Sequence, residues 1–202
     1  MYSMQTAGEE KPYSFASGNL AKLRHIPRYL WGMLRSMTTR RDPMLWVIGS
    51  NFGLADGAWA FAQAASRLDP APRIVWQVST ERQRAEAIAA GVAWVDRDEA
   101  AGFEAVLHAG VIAVTHGLGD VHRYGQRGAV IVQLWHGAPL KKLHADSPAV
   151  TTLGRLGRVP GLSALMRWLY RRGTSSISLF PTGAPCFVDS LCSAFALTPA
   201  QV

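Results

Sequence analysis

The sequence predicts an α/β protein, a parallel sheet covered by helices on both faces, and three observations carry that prediction. Uninterrupted apolar runs such as MLWVIG at 44–49 and AVIVQLW at 129–135 read as strands buried on both sides, since a strand with one wet face alternates. Segments of helical character separate these runs, the pattern of strand-crossover-strand units. The chain has 202 residues, 49% of them apolar and 17% charged, enough to enclose a real core and unlike a disordered chain.

The elements follow in order. NLAKLRHIPRYLWGMLRSM repeats Leu20, Leu23, Leu30, Leu34 and Met37 at helical spacing, and Pro27 is expected to break or kink that helix. After the first strand at 44–49 comes a turn punctuated by Gly and Asp, then a helix over 57–68. RIVWQVS (73–79) is the second strand, with Thr80 as N-cap of the next helix and Gly91 as its stop. VAWV (92–95) is a short third strand and 99–109 a helix. VIAVTH (111–116) and 129–135 are two more buried strands. A second amphipathic segment, GLSALMRWLYRR, precedes a last strand at 175–180 and a last helix at 184–197. These divide the chain into a tail with a basic amphipathic segment (1–43), a sheet domain (44–149), a second basic segment (150–174), and a final strand and helix (175–202).

The formal charge of +7 is concentrated. Residues 20–41 carry Lys22, Arg24, Arg28, Arg35, Arg40 and Arg41 and no acid; residues 150–173 carry Arg155, Arg158, Arg167, Arg171 and Arg172 and no acid; the rest is net acidic. An anionic partner is therefore expected at those two segments. Leu162, Leu165, Arg167, Trp168, Arg171 and Arg172 form a basic amphipathic stripe with an aromatic, the composition of a helix lying on an anionic membrane surface; the plainer reading is a helix packed on its own domain. No apolar run reaches the length of a membrane span, and the N-terminus lacks a signal-peptide pattern, so a cytoplasmic site is expected, peripheral on the inner face of the membrane. A nucleic-acid partner is not expected, because the core segment is acidic and shows no recognition helix or aromatic platform. Cys186 and Cys192 fit neither a disulfide framework nor a zinc motif and read as small buried hydrophobes.

Parallel sheets bind ligands at the carboxyl ends of their strands, and three loops there hold chemistry. In GSNFGLADG (49–57) the glycines stand at 49, 53 and 57, which is not the dinucleotide fingerprint. Ser50 and Asn51 are candidate substrate contacts beside a helix start whose free N–H groups suit a phosphate; a simple turn is the competing reading. THGLGDVHRYG (115–125) holds His116 and His122, six apart, a spacing that specifies no metal site, and none is expected. His116 either orients a substrate or makes a structural hydrogen bond. His136 directly follows a buried run, so its ring belongs at the ligand edge, where a near-neutral imidazole acts as general base toward a hydroxyl. Gly137 leaves space for a substrate, Pro139 stiffens the turn, and Lys141 and Lys142 place positive charge nearby.

At this stretch the sequence resembles the CDP-glycerol glycerophosphotransferases, the teichoic-acid primases and polymerases. The resemblance rests on an apolar strand ending in Gln133, Trp135, His136 and Gly137, followed by Pro139, Leu140, Lys141 and Lys142. It extends more weakly to the strand-loop-helix VIGSNFGLADGAWAFAQAA, to Ser79–Thr80, VIAVTHG and Asp146, covering 45 to about 197. It implies the Rossmann-like N-terminal lobe of a GT-B fold, with His136 as the base and membrane-associating helices after the motif. The donor substrate would be CDP-glycerol with no further cofactor, and the acceptor a polyprenyl-linked hydroxyl. The sequence stops at TPAQV, so the C-terminal donor lobe, with its second histidine, is expected as a missing partner and these residues as inactive alone. Two alternatives remain open: a nucleotide-sugar glycosyltransferase lobe, and a non-catalytic lobe binding membrane or a partner.

Overall fold

The computed structural model describes residues 26–137 and 173–202, together with Asp146 and Trp168. Helix α1 spans Ile26–Thr38, followed by β1 (Asp42–Gly49), α2 (Asp56–Ala65), β2 (Arg73–Val78), α3 (Glu81–Ala89), β3 (Trp94–Asp96), α4 (Ala100–His108), β4 (Ala109–Val114), β5 (Val130–Gln133) and α5 (Val188–Phe195). The strands form one parallel sheet in the order β3-β2-β1-β4-β5.

Register aligns the apolar positions into rows. Val75, Val47, Ile112 and Ile131 are successive partners across the sheet. On that face Leu45, Val47, Ile112, Val114 and Ile131 pack with Val106 of α4. On the other face Ile48, Trp76, Ala113 and Val132 pack with Ala58 and Ala62 of α2. Helices thus cover both faces, as the uninterrupted apolar runs required. Each fully buried aliphatic chain contributes about 1.5–3 kcal/mol of transfer free energy. Two residues further along, Gly49, Val114 and Gln133 form the row at which β1, β4 and β5 end, with Gln77 of β2 beside Gly49. The site lies one step beyond it.

Caps account for several boundaries. Thr80 accepts a hydrogen bond from Gln83 N and caps α3 as expected. Gly91, at φ 64, closes the helix while Gly91 N and Val92 N donate to Ile88 O and Ala87 O, the Schellman pattern. Val92 is therefore used by the cap, and β3 begins two residues later than the apolar run suggests. Pro27 lies in the first turn of α1, where its missing N–H costs nothing, and residues 20–25 of the same amphipathic segment lie outside the described residues. The expected last strand at 175–180 is reduced to a single parallel bridge, Val132 to Leu179, supported by Gln133 N donating to Leu179 O. Cys186 is exposed and Cys192 half-buried, not buried hydrophobes. Position 186 lies in the short 3-10 turn Pro185–Phe187, while Leu191, Ala194 and Phe195 fill the inward face of α5.

One cation of the first basic segment is structural. Arg41 donates to Val106 O and Ala109 O from Nη1 and to Gly125 O and Arg127 O from Nη2, at 2.6–2.9 Å. Its burial lowers its pKa. It ties the end of α4 to the loop before β5 and is not offered to an external anion.

Candidate active site

The carboxyl ends of β1, β4 and β5 converge on a run of four rings. Trp135 and His136 stack at 4.5 Å between centroids, His136 and His116 at 4.1 Å, and His116 meets Phe52 at 4.7 Å. Phe52 also stands edge-on to His136 at 5.7 Å. Three strand ends supply the four rings: Phe52 follows β1, His116 follows β4, and Trp135 and His136 follow β5, so the sheet order brings the three groups together. Trp135 holds φ 60, an uncommon backbone region for a bulky residue, and its indole packs against Phe180 and Phe195. Such a conformation persists only where the surroundings over-determine it. Here it ends β5 and turns His136 across the strand ends.

Buried polar side chains fix this arrangement. Gln133 Nε2 donates to Thr115 O at 2.7 Å, locking the strand before His136 to the strand before His116. Asp120 is 5% exposed, and its Oδ2 accepts from Thr115 N at 2.9 Å, His116 N at 2.7 Å and Thr115 Oγ1 at 3.0 Å. Gln83 Nε2 donates to Ser50 O at 2.9 Å while its Oε1 accepts from Ser79 N at 2.8 Å, which fixes the loop after β1. Burial, and then the charge of the neighbouring His136, lower the His116 pKa against the opposing pull of Asp120. His116 is thus biased toward the neutral ring that accepts protons and hydrogen bonds.

A cavity of about 490 Å³ opens beside His136, lined among others by Asp56 and Gly57 at the start of α2, Trp135, Gly137, Phe180 and Phe187. Gly137 has φ 121, and among the described residues a Cβ built there meets nothing within 4 Å, which agrees with the space expected beside it. His136 is partly exposed and makes no hydrogen bond within the described residues, which leaves its ring nitrogens open to a substrate. Ser50 is 4% exposed; its hydroxyl accepts from Phe52 N at 3.1 Å and lies 3.3 Å from Thr115 Oγ1, so it acts on the site through Thr115. Asn51 is exposed at the rim. Lys141, Lys142, Leu162, Leu165, Arg167, Arg171 and Arg172 lie outside the described residues; Trp168 is 54% exposed. His122 is not at this site. Its ring meets Phe103 and Tyr124, and its backbone N–H donates to Gln77 Oε1. Among the described residues no group of three or more His, Cys, Asp or Glu is placed to hold a metal ion.

Sequence reasoning named His136, His116, Gly137, Ser50 and Asn51 but missed Phe52, Thr115 and Asp120. For Asp120 a signal existed: an acid four residues after a strand-end histidine, inside a Gly-rich turn.

The family of the CDP-glycerol:poly(glycerophosphate) glycerophosphotransferases matches over residues 30–159. Among solved structures, the wall teichoic acid polymerase TagF is similar with a TM-score of 0.62 at 17% identity, covering 93% of this chain and 46% of that one. A histidine-to-asparagine variant of TagF soaked with CDPG gives 0.63 at 17%, covering 93% and 48%. At that identity the likeness is one of fold, and this chain spans about half the length of the structures it matches. No curated protein matches the sequence. The family match takes in well over half of the 202 residues, including the strand ends, the ring stack and the Trp-His-Gly turn, and the chain belongs to the CDP-glycerol:poly(glycerophosphate) glycerophosphotransferase family.

Proposed function

We propose that the chain forms the acceptor-side lobe of a transferase that moves glycerol phosphate, or a related alditol phosphate, from a CDP-activated donor to a hydroxyl of a lipid-linked acceptor in teichoic-acid-like polymer synthesis. The observation that carries this reading is His136: an imidazole at the strand-end edge, held among the described residues by ring contacts alone, beside an open cavity. The acceptor hydroxyl attacks the β-phosphorus of CDP-glycerol, the bond to the bridging oxygen breaks, CMP leaves, and His136 takes the hydroxyl proton. Phosphoryl transfer rests on positioning and charge neutralisation. Lys141 and Lys142 follow the Gly137 turn closely enough in sequence to offset phosphate charge. The donor is bound by a second lobe, a partner to this one.

The test is donor turnover by this lobe together with a donor-binding lobe. CDP-glycerol or CDP-ribitol is consumed with release of CMP, and UDP-sugars are not. Turnover of UDP-sugars alone would move the chain to the glycosyltransferase reading, which shares the two-lobe plan.

We further propose peripheral association with the inner face of the membrane, where a polyprenyl-linked acceptor resides. Among the described residues no helix is long and apolar enough to cross a membrane. Helix α1 supports surface binding: Gly32 is buried against Tyr124, while Leu30, Leu34 and Met37 are each more than half exposed on the opposite face. Such a stripe, in a segment without acids, suits an anionic interface, and the second segment with Arg167, Arg171 and Arg172 has the same character. Each basic residue near an anionic bilayer contributes on the order of 1 kcal/mol. Changing those three arginines to glutamate is expected to weaken co-sedimentation with anionic vesicles by about a hundredfold or more. Binding indifferent to both anionic lipid and these substitutions removes the proposal.

A further inference from the structure

We infer that Thr115 and Asp120 are positioning residues that hold His116 as the Nδ1–H tautomer, leaving its Nε2 as a bare hydrogen-bond acceptor for the acceptor substrate, next to His136. The inference follows from counting protons along a short buried chain. Asp120 Oδ2 accepts from two backbone donors, Thr115 N and His116 N, which have nothing to do but donate. That oxygen is therefore an acceptor, and the Thr115 hydroxyl 3.0 Å from it spends its single proton there. With its proton spent, Thr115 Oγ1 has only lone pairs to offer its other neighbours, Ser50 Oγ at 3.3 Å and His116 Nδ1 at 3.1 Å. Two lone pairs facing each other repel, so Nδ1 carries the hydrogen. Thr115 is fully buried, and water does not compete for these bonds.

The alternative assignment, His116 Nδ1 as acceptor of the Thr115 proton, leaves two oxygens, Thr115 Oγ1 and Asp120 Oδ2, at 3.0 Å with no hydrogen between them. Within a buried site that is the costlier arrangement. His116 Nε2 makes no hydrogen bond within the described residues, and the ring is clamped between Phe52 and His136. An imidazole fixed in plane and tautomer, with one free lone pair, recognises a hydroxyl donor. Beside a His136 that takes the proton of the attacking hydroxyl, it accepts from a second hydroxyl of the same polyol end. The tautomer stands on the geometry alone; its use on an acceptor rests on the transferase reading above.

Nitrogen-15 NMR of histidine-labelled chain separates the two. In the wild-type chain the His116 signals are expected to show a protonated Nδ1 and an unprotonated Nε2. Thr115→Val is expected to exchange these two shift positions, and Thr115→Ser to restore them. A wild-type ring protonated at Nε2 overturns the inference whether or not the valine variant folds, as does a folded Thr115→Val chain with unaltered shifts. In the two-lobed enzyme, Thr115→Val is expected to raise the acceptor KM about tenfold, the equivalent of one hydrogen bond, with the donor KM unmoved. An unchanged acceptor KM with a reversed tautomer removes His116 from the acceptor. A wild-type enzyme that turns over no CDP-alditol sinks the transferase reading and leaves the NMR result standing.

Discussion

Replacing His136 with alanine in the two-lobed protein is expected to lower transferase turnover by at least about a hundredfold. On the proposed mechanism the loss falls on kcat, because the imidazole would take a proton that leaves the acceptor only as the bond to phosphorus forms. Donor binding, assigned to the other lobe, keeps its KM. Some stability is lost as well, because the partly exposed ring makes contacts with Trp135 and His116 worth about 0.5–1.5 kcal/mol per pair, so the denaturant midpoint is read beside turnover. His136→Phe sharpens the experiment. Phenylalanine keeps a ring between Trp135 and His116 but has no nitrogen, so its activity is expected to match that of alanine and not that of wild type. Near-normal turnover in either variant removes His136 as the base. Recovery in the phenylalanine variant alone would make the residue a packing element of the stack.

Much of the fold was legible because burial on both faces leaves near-continuous apolar runs, and their alternation with helical segments is the pattern of a covered parallel sheet. The boundaries that shifted did so for local backbone reasons. Val92 joined a helix cap, and Trp135 turned out of β5 through a left-handed conformation, so β5 ends at Gln133 and not at 135. Arg41 was counted among the surface cations because its acid-free neighbourhood reads as one face of a helix. In fact it falls after α1 and finds four carbonyls that are 65 to 86 residues away in sequence. The site was legible as single residues and not as a constellation. His136 announced itself by following a strand, and His116 by ending one. Their stacking depends on β4 and β5 being neighbours, a property of sheet order that periodicity does not encode. Phe52 stands in a Gly-rich loop that carries no sequence signal for a ring contact, and the same sheet order brings it onto His116.

That dependence of the site on sheet geometry makes a second large effect testable at a residue without chemistry. Gly49 ends β1 with the turn that carries Asp120 lying directly over it. A Cβ at position 49 stands 2.4 Å from Asp120 O, 2.6 Å from Val121 Cγ1 and 2.7 Å from Asp120 C. None of these atoms yields easily: two are backbone, and Val121 is 1% exposed. Gly49→Ala is therefore expected to destabilise the chain by about 1–3 kcal/mol, read as a lower denaturant midpoint. The strain acts on the turn whose carboxylate fixes Thr115 and His116, so the His116 nitrogen signals are expected to move as well, although position 49 touches neither imidazole. Gly57→Ala is the control, since among the described residues a Cβ there meets nothing within 4 Å and the residue lies in the first turn of α2. Its midpoint is expected to equal or exceed wild type, because alanine favours a helix over glycine by up to about 1 kcal/mol. If Gly49→Ala unfolds with the wild-type midpoint and leaves His116 unmoved, the turn has room to retreat, and the order of the strand ends is not what holds the two imidazoles together.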